Sequence, residues 1–198
     1  MTGFDQNPTA SSYPFSMMKR LSTLALLVLL YLPLPVRSFS QLNKQADNWE
    51  AFRFLIGEWV GKGTGSPGEA GGAFSFSLDL EEKILVRRNR ADYPATKDKP
   101  AYSHTDLMVI YKEGTETRAI YFDNEGHTIH YAVTVSKDMP TRVTFLSEIS
   151  TSAPRFRFIY SKINNDNMTF QFDIAPPGKP EGFTKYMEGS LARKPPAK

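Results

Sequence analysis

Between residues 55 and 193, apolar side chains recur at every second position, in short runs that stop and restart. Phe74, Phe76, Leu78 and Leu80 form one such set; Ile129, Tyr131, Val133 and Val135 another; Phe156, Phe158 and Tyr160, then Met168, Phe170, Phe172 and Ile174, two more. Shorter sets are Leu107, Val109 and Tyr111, Ile120 and Phe122, and Val143 and Phe145. A period of two is the signature of a strand with one face buried. The pattern predicts strands over residues 55–65, 72–80, 83–93, 104–112, 115–123, 127–137, 141–149, 155–162, 167–175 and 184–193. Turn chemistry separates them: Ser66-Pro67-Gly68, Asn124-Glu125-Gly126, Asp138-Met139-Pro140, Asn164-Asn165-Asp166 and Pro176-Pro177-Gly178. Short strands joined by hairpins leave no exposed edge if they close into an up-and-down antiparallel barrel, with a β-sandwich as the rival arrangement. If the strands alternate in direction, most of the longer connections fall at one end, as in a cup with an open mouth.

The first forty residues read differently. Lys19 and Arg20 precede an apolar run from Leu21 to Leu32, then Pro33 and Pro35, which is the pattern of a signal peptide. Ser38 and Ser40 supply the small residues a signal peptidase inspects, so cleavage is expected after Ser40, leaving residues 41–198 as one domain; Met17 and Met18 are alternative starts. The run is too short and too interrupted by proline to span a bilayer, so no membrane span is expected in the mature part, and the protein is expected in a periplasmic or extracellular space.

That leader carries Lys19, Arg20 and Arg37 against Asp5, so its removal takes the net charge from +3 to about +1. Charge therefore gives no reason to expect a nucleic-acid partner. There are no cysteines, so the domain must be held by its core alone. About 158 residues suffice for that.

Before the first strand, DNWEAFRF (47–54) places Trp49 and Phe52 in a segment without alternation, which predicts a short helix capped by Asp47 or Asn48. The stretch FLIGEWVGKGTG that follows, with Gly57, Glu58 and Trp59, resembles the Gly-x-Trp signature of the calycin superfamily, which includes lipocalins, fatty-acid-binding proteins and nitrobindin-like haem barrels. The resemblance implies a calycin-like barrel in which Trp59 packs at the closed base with Arg193 across it. Combinations such as LVRRNRADYP, HTDLMVIY and YFDNEGHTIHY also resemble an uncharacterised bacterial secreted branch of such barrels. Other family signatures depart from this chain: Lys185 and Tyr186 are adjacent where a fatty-acid clamp has Arg-x-Tyr, and no histidine follows His130 to hold haem as nitrobindin-like barrels do.

The stretch YFDNEGHTIHY (121–131) contains two of the three histidines. As a hairpin, its Asn124 and Gly126 serve the turn. The alternation of strands also brings it to the mouth beside Arg87, Arg88, Asn89 and Arg90 at the end of one strand and His104 and Asp106 at the start of the next. His127 shares parity with the interior residues Ile129 and Tyr131, whereas His130 shares parity with the outside. Arg155 and Arg157 read as a solvated outer stripe.

Two functions are compatible with these features, beside a filled structural barrel that meets a protein partner on its outer face. The first is an exported carrier of a small lipophilic or aromatic molecule, with Arg88, Asn89, His104, Asp106, Phe122, Asp123, His127, Tyr131 and Phe158 as the contact set and rim arginines meeting an anionic group. No cofactor is expected for it. The alternative is an enzyme at the barrel mouth using His104, Asp106 and His127, with Asp123 or Glu125 as further oxygen ligands, to hold a divalent metal or to act as acid and base. Nucleophile elbows, zinc-protease motifs and phosphate loops are absent from the sequence. Neither the oligomeric state nor the choice between a filled and a hollow barrel is written in the alternation.

Overall fold

The computed structural model describes residues 48–65 and 68–195. The expected leader 1–40, its cleavage point after Ser40 and the capping candidate Asp47 lie outside the described residues. A 3-10 helix, Glu50–Leu55, leads into ten strands. These are β1 (Gly57–Gly65), β2 (Ala70–Asp79), β3 (Ile84–Tyr93), β4 (Tyr102–Glu113), β5 (Glu116–Asp123), β6 (Thr128–Val135), β7 (Arg142–Ser147), β8 (Arg155–Lys162), β9 (Asn167–Ala175) and β10 (Thr184–Arg193). Each pairs antiparallel with its neighbours in sequence, and β1 pairs with β10, so the sheet closes on itself as an up-and-down barrel. Closure removes the edges that a sandwich of the same strands would have left. Among the described residues no helix is long and apolar enough to cross a membrane.

The helix is fixed by packing and not by a cap. Trp49 occupies the N-cap position with no side-chain capping bond, which corrects the expectation of Asp47 or Asn48 there. Trp49, Phe52 and Leu55 are buried, and Trp49 Nε1 donates to the Glu82 carbonyl at 2.8 Å, tying the helix to the turn between β2 and β3. At the same end Trp59 is buried and donates from Nε1 to Leu55 O at 2.8 Å. Arg193 lies 4.2 Å over the Trp59 ring and donates to Ile56 O at 2.7 Å, Phe54 O at 3.3 Å and Asn165 O at 3.0 Å. Gly57 has φ 125°, and a Cβ there would collide with Arg193 Nη1, so this position needs glycine twice over.

The half of the interior nearest this base is filled. Trp59, Phe76, Leu85, Ile110, Val143 and Phe145 are each at most 1% exposed. Tyr160 packs edge-on against Phe76 and Phe145, at centroid distances of 5.5 and 6.2 Å. Such edge-to-face contacts suit the charge distribution of aromatic rings.

Two strands run in the opposite phase from the one their apolar pattern suggests. In β4 the inward residues are His104, Asp106, Met108 and Ile110, and in β5 Ala119, Tyr121 and Asp123. Leu107, Val109, Ile120 and Phe122 therefore point outward, with Phe122 42% exposed. Both strands carry apolar residues on both faces, so alternation could not fix their phase. In the observed register Asp106 stands opposite Asp123 and both carboxylates face the barrel interior, where Arg87 meets Asp106. On the outer wall, Arg157 is not merely solvated: its Nε donates to Asp173 at 2.8 Å, and Phe183 lies 4.2 Å from its guanidinium carbon.

Candidate functional site

Above the filled half, towards the loops that follow β1, β3, β5, β7 and β9, the barrel encloses a cavity of about 300 Å3. Strands five apart in a ring of ten stand opposite each other, so β3 and β4 face β8 and β9. The first pair, continued by β5, supplies a polar wall: Arg87, Asn89, His104, Asp106, Tyr121 and Asp123. The second supplies an aromatic wall: Phe156, Phe158, Tyr160, Phe170 and Phe172. Phe156 and Phe172 are stacked at 5.9 Å, as are Phe158 and Phe170, diagonally across the β8–β9 ladder. Between the walls β1 and the start of β2 present glycines, Gly61, Gly63, Gly71 and Gly72, while Phe74 of β2 and Tyr186, Met187 and Leu191 of β10 complete the lining; at Gly189 a Cβ would run into the Phe170 ring.

The polar wall is one connected network. Arg87 Nη1 and Asp106 Oδ1 form an ion pair in which the two side chains are 6% and 3% exposed. Asn89 Nδ2 donates to the other oxygen of Asp106 at 2.8 Å, and His104 Nε2 lies 3.5 Å from it. His104 is held at both nitrogens, by Tyr121 OH through Nε2 and by Glu125 Oε1 through Nδ1, each at 2.9 Å. Tyr121 OH in turn donates to Asp123 Oδ2 at 3.3 Å, and His127 Nδ1 is 2.8 Å from the same oxygen. Asp123 Oδ1 accepts the backbone N–H groups of Glu125 and His127 at 3.0 and 2.9 Å, so the hairpin turn itself pins this carboxylate inward.

Electrostatics follow from these neighbours. Asp106, and after it Glu125, outweigh burial and lift the His104 pKa to about 8, so at neutral pH the ring is an imidazolium donating on both sides. Burial opposes the charge of Arg87, but Asp106, Tyr160 and Tyr121 more than offset it and hold its pKa above the ordinary value. Burial also resists ionisation of Asp123, yet its bonds with His127 win and lower its pKa. Tyr121 and Tyr131 are pushed up, chiefly by burial, and stay neutral phenols. Two ionic groups thus meet a counter-charge within the wall, Arg87 with Asp106 and His104 with Glu125, while Asp123 is held by its hydrogen bonds to His127 and the turn.

Of the residues expected from sequence, Asn89, His104, Asp106, Asp123, His127, Tyr131 and Phe158 all line the cavity. Arg88 and Phe122 do not. Arg88 is exposed on the outer wall, one residue out of phase with Arg87, and Phe122 follows the phase of β5 outward. Arg87, Tyr121 and Tyr160 lie in the network or beside it. Arg87 was legible as a wall residue from its parity with Leu85 and Asn89, since one of two consecutive arginines in a half-buried strand must face in. Tyr121 was hidden by the same misleading phase that promoted Phe122.

His104, Asp106 and His127 do not converge on a common point. His127 turns to Asp123, and both nitrogens of His104 are taken, so among the described residues no group of three or more histidine and carboxylate side chains is arranged to hold a metal ion. What the arrangement supplies is a flat apolar face, a facing set of hydrogen-bonding groups and the space between them.

No protein family matches the sequence, and no curated protein does. Among solved structures, the chain is similar to Rv2717c from M. tuberculosis, with 14% identity, a TM-score of 0.52, and coverage of 74% of this chain and 97% of that one. That likeness concerns the fold. Looser overlaps, with TM-scores of 0.36 and 0.35, connect it to a de novo designed fluorescence-activating β-barrel at 12% identity and to EF1p2_mFAP2b bound to DFHBI at 13%; each covers 73% of this chain and 97% of the other. The architecture is that of a ten-stranded antiparallel barrel.

Proposed function

We propose that this protein is an exported, calycin-like barrel that binds a small, largely aromatic molecule non-covalently in its interior. The observation that carries the reading is the division of the interior: one half is packed solid, whereas the other keeps about 300 Å3 between an aromatic and a polar wall. Ordinary cores leave few voids larger than a water molecule. A space of this size is at the lower end of ligand pockets, roughly 300–1,000 Å3. It suits a ring system of one or two rings better than a long acyl chain.

Binding would stabilise the complex through burial of the ligand's faces against Phe156, Phe158, Phe170 and Phe172, with orientation set by the opposite wall. Native mass spectrometry of protein purified gently from an exporting host tests this. A stoichiometric organic adduct is the expected result. A bare polypeptide that also fails to take up any neutral aromatic fluorophore would overturn the reading.

A further inference from the structure

We propose that the cavity selects an uncharged aromatic compound bearing a hydroxyl group, which donates to the side-chain carbonyl oxygen of Asn89 and accepts from the hydroxyl of Tyr131. This rests on the ligand-binding reading above and specifies the class of ligand. That class is a phenol or its fused-ring equivalent, in place of a hydrocarbon, an ether or an ion.

Two polar atoms that are both unmet and open carry the inference. Asn89 and Tyr131 line the cavity; Asn89 is half-buried and Tyr131 is buried. Asn89 Nδ2 donates to Asp106 at 2.8 Å. That bond fixes the orientation of the amide, because a carboxylate only accepts and the amide oxygen must then point the other way. Among the described residues neither that oxygen nor the Tyr131 hydroxyl has a hydrogen-bond partner. The partnerless side-chain polar atoms that packing seals off completely are, among the same residues, Arg87 Nε, Arg118 Nε and Tyr160 OH. Asn89 Oδ1 and Tyr131 OH do not belong to that set, so each keeps accessible surface. On inward side chains of a closed barrel, that surface opens onto the cavity. Polar atoms exposed in this way are met by water or by a ligand.

The need for a hydroxyl follows from what the two atoms can do. An amide oxygen only accepts, so an ether or ketone placed at Asn89 opposes it lone pair to lone pair, and a hydrocarbon leaves it unmet. The Tyr131 phenol is neutral, and its O–H both donates and accepts. A ligand hydroxyl offers its hydrogen to the first and its lone pairs to the second. Charge disfavours the ionic alternatives. Asn89, Asp106 and Asp123 stand in one row across β3, β4 and β5, so an anion at Asn89 meets two carboxylates. An ammonium instead meets Arg87 and the His104 imidazolium on the same wall. Burial strengthens either repulsion.

The test uses three probes with one ring body: naphthol, which donates and accepts, methoxynaphthalene, which only accepts, and ethylnaphthalene, which does neither. Fluorescence titration at neutral pH, where naphthol is uncharged, is expected to show naphthol binding about tenfold more tightly than either of the others, as one buried hydrogen bond allows. Tyr131→Phe keeps the ring and removes the hydroxyl. It is expected to weaken naphthol about fivefold and to leave ethylnaphthalene unchanged, with an unaltered far-ultraviolet dichroism spectrum. Asn89→Leu removes the accepting oxygen at similar volume and is expected to bring naphthol down to the level of ethylnaphthalene. Because it also removes the bond to Asp106, the probe series and Tyr131→Phe decide the matter if that variant does not fold. Equal affinities for all three probes, or parallel loss of naphthol and ethylnaphthalene in Tyr131→Phe, would show that water serves these atoms and would overturn the proposal while leaving the carrier reading intact. Methoxynaphthalene matching naphthol would overturn it in favour of a site that reads an acceptor. No binding of any probe would remove both readings.

Discussion

Arg87 and Asp106 stand diagonally across the β3–β4 ladder, where Arg87 is opposite Met108 and Asp106 opposite Asn89, and they close a buried ion pair inside the barrel. Removing Asp106 leaves Arg87 buried without its counter-charge, and removing Arg87 leaves Asp106 with only Asn89 and His104 on its other oxygen. Arg87→Met or Asp106→Leu alone is expected to cost about 3–5 kcal/mol in urea unfolding. The double variant should lose less than the sum by at least about 1 kcal/mol, because it buries no orphan charge. Additive losses would contradict the pairing.

Stability should fall as pH rises past neutrality. The His104 pKa is raised to about 8 in the folded protein, above the unfolded value of about 6.5. Its contribution is therefore complete below about pH 6.5 and is lost as pH climbs through about 8. Asp123 acts in the opposite sense: its lowered pKa contributes above the unfolded value of about 3.9 and is lost on acidification. Melting temperatures from pH 6 to 9 should show the alkaline decline in the native protein and a flatter profile in His104→Gln.

Arg193 closes the base through four contacts that depend on its planar fork, three backbone carbonyls and the Trp59 ring. Arg193→Ala is expected to cost about 2 kcal/mol. Arg193→Lys should recover little of it, since an ammonium cannot reproduce the fork. Chemical denaturation of the two variants checks this.

Ala91 lines the cavity between Gly72 and His104 in the sheet, so a large side chain there projects into open space. Ala91→Trp should abolish uptake of a neutral aromatic probe while changing stability by less than about 1 kcal/mol. If the interior were filled at this level, overpacking would cost about 1–3 kcal/mol. Thermal melts beside probe titrations separate the outcomes.

The phase of β5 can be tested directly. Phe122→Ser, on the outer wall, should leave probe affinity unchanged and alter stability by no more than about 0.5 kcal/mol. Tyr121→Phe, one residue earlier, should instead shift the alkaline end of the pH profile, because it removes a partner of His104. Loss of binding in Phe122→Ser would reverse the assignment of faces.

The alternation of Phe156, Phe158 and Tyr160 against Arg155, Arg157 and Ile159, together with the turn residues between runs, was enough by itself to set the ten strands, their hairpin order and most of the cavity lining. Those are local properties: side chains two apart share a face whatever the rest of the chain does. The phase of β4 and β5 was not local, because Leu107 and Met108, or Tyr121 and Phe122, serve either face equally well. Closure of the ring settled it by bringing Asp106, Asp123 and Arg87 to one side, where burial demands that charges meet counter-charges. The same holds for the choice of Arg87 over Arg88. Whether the barrel is hollow was likewise decided only in three dimensions, since empty space is what remains after large residues on β8 and β9 and glycines on β1, β2 and β10 are summed around the ring.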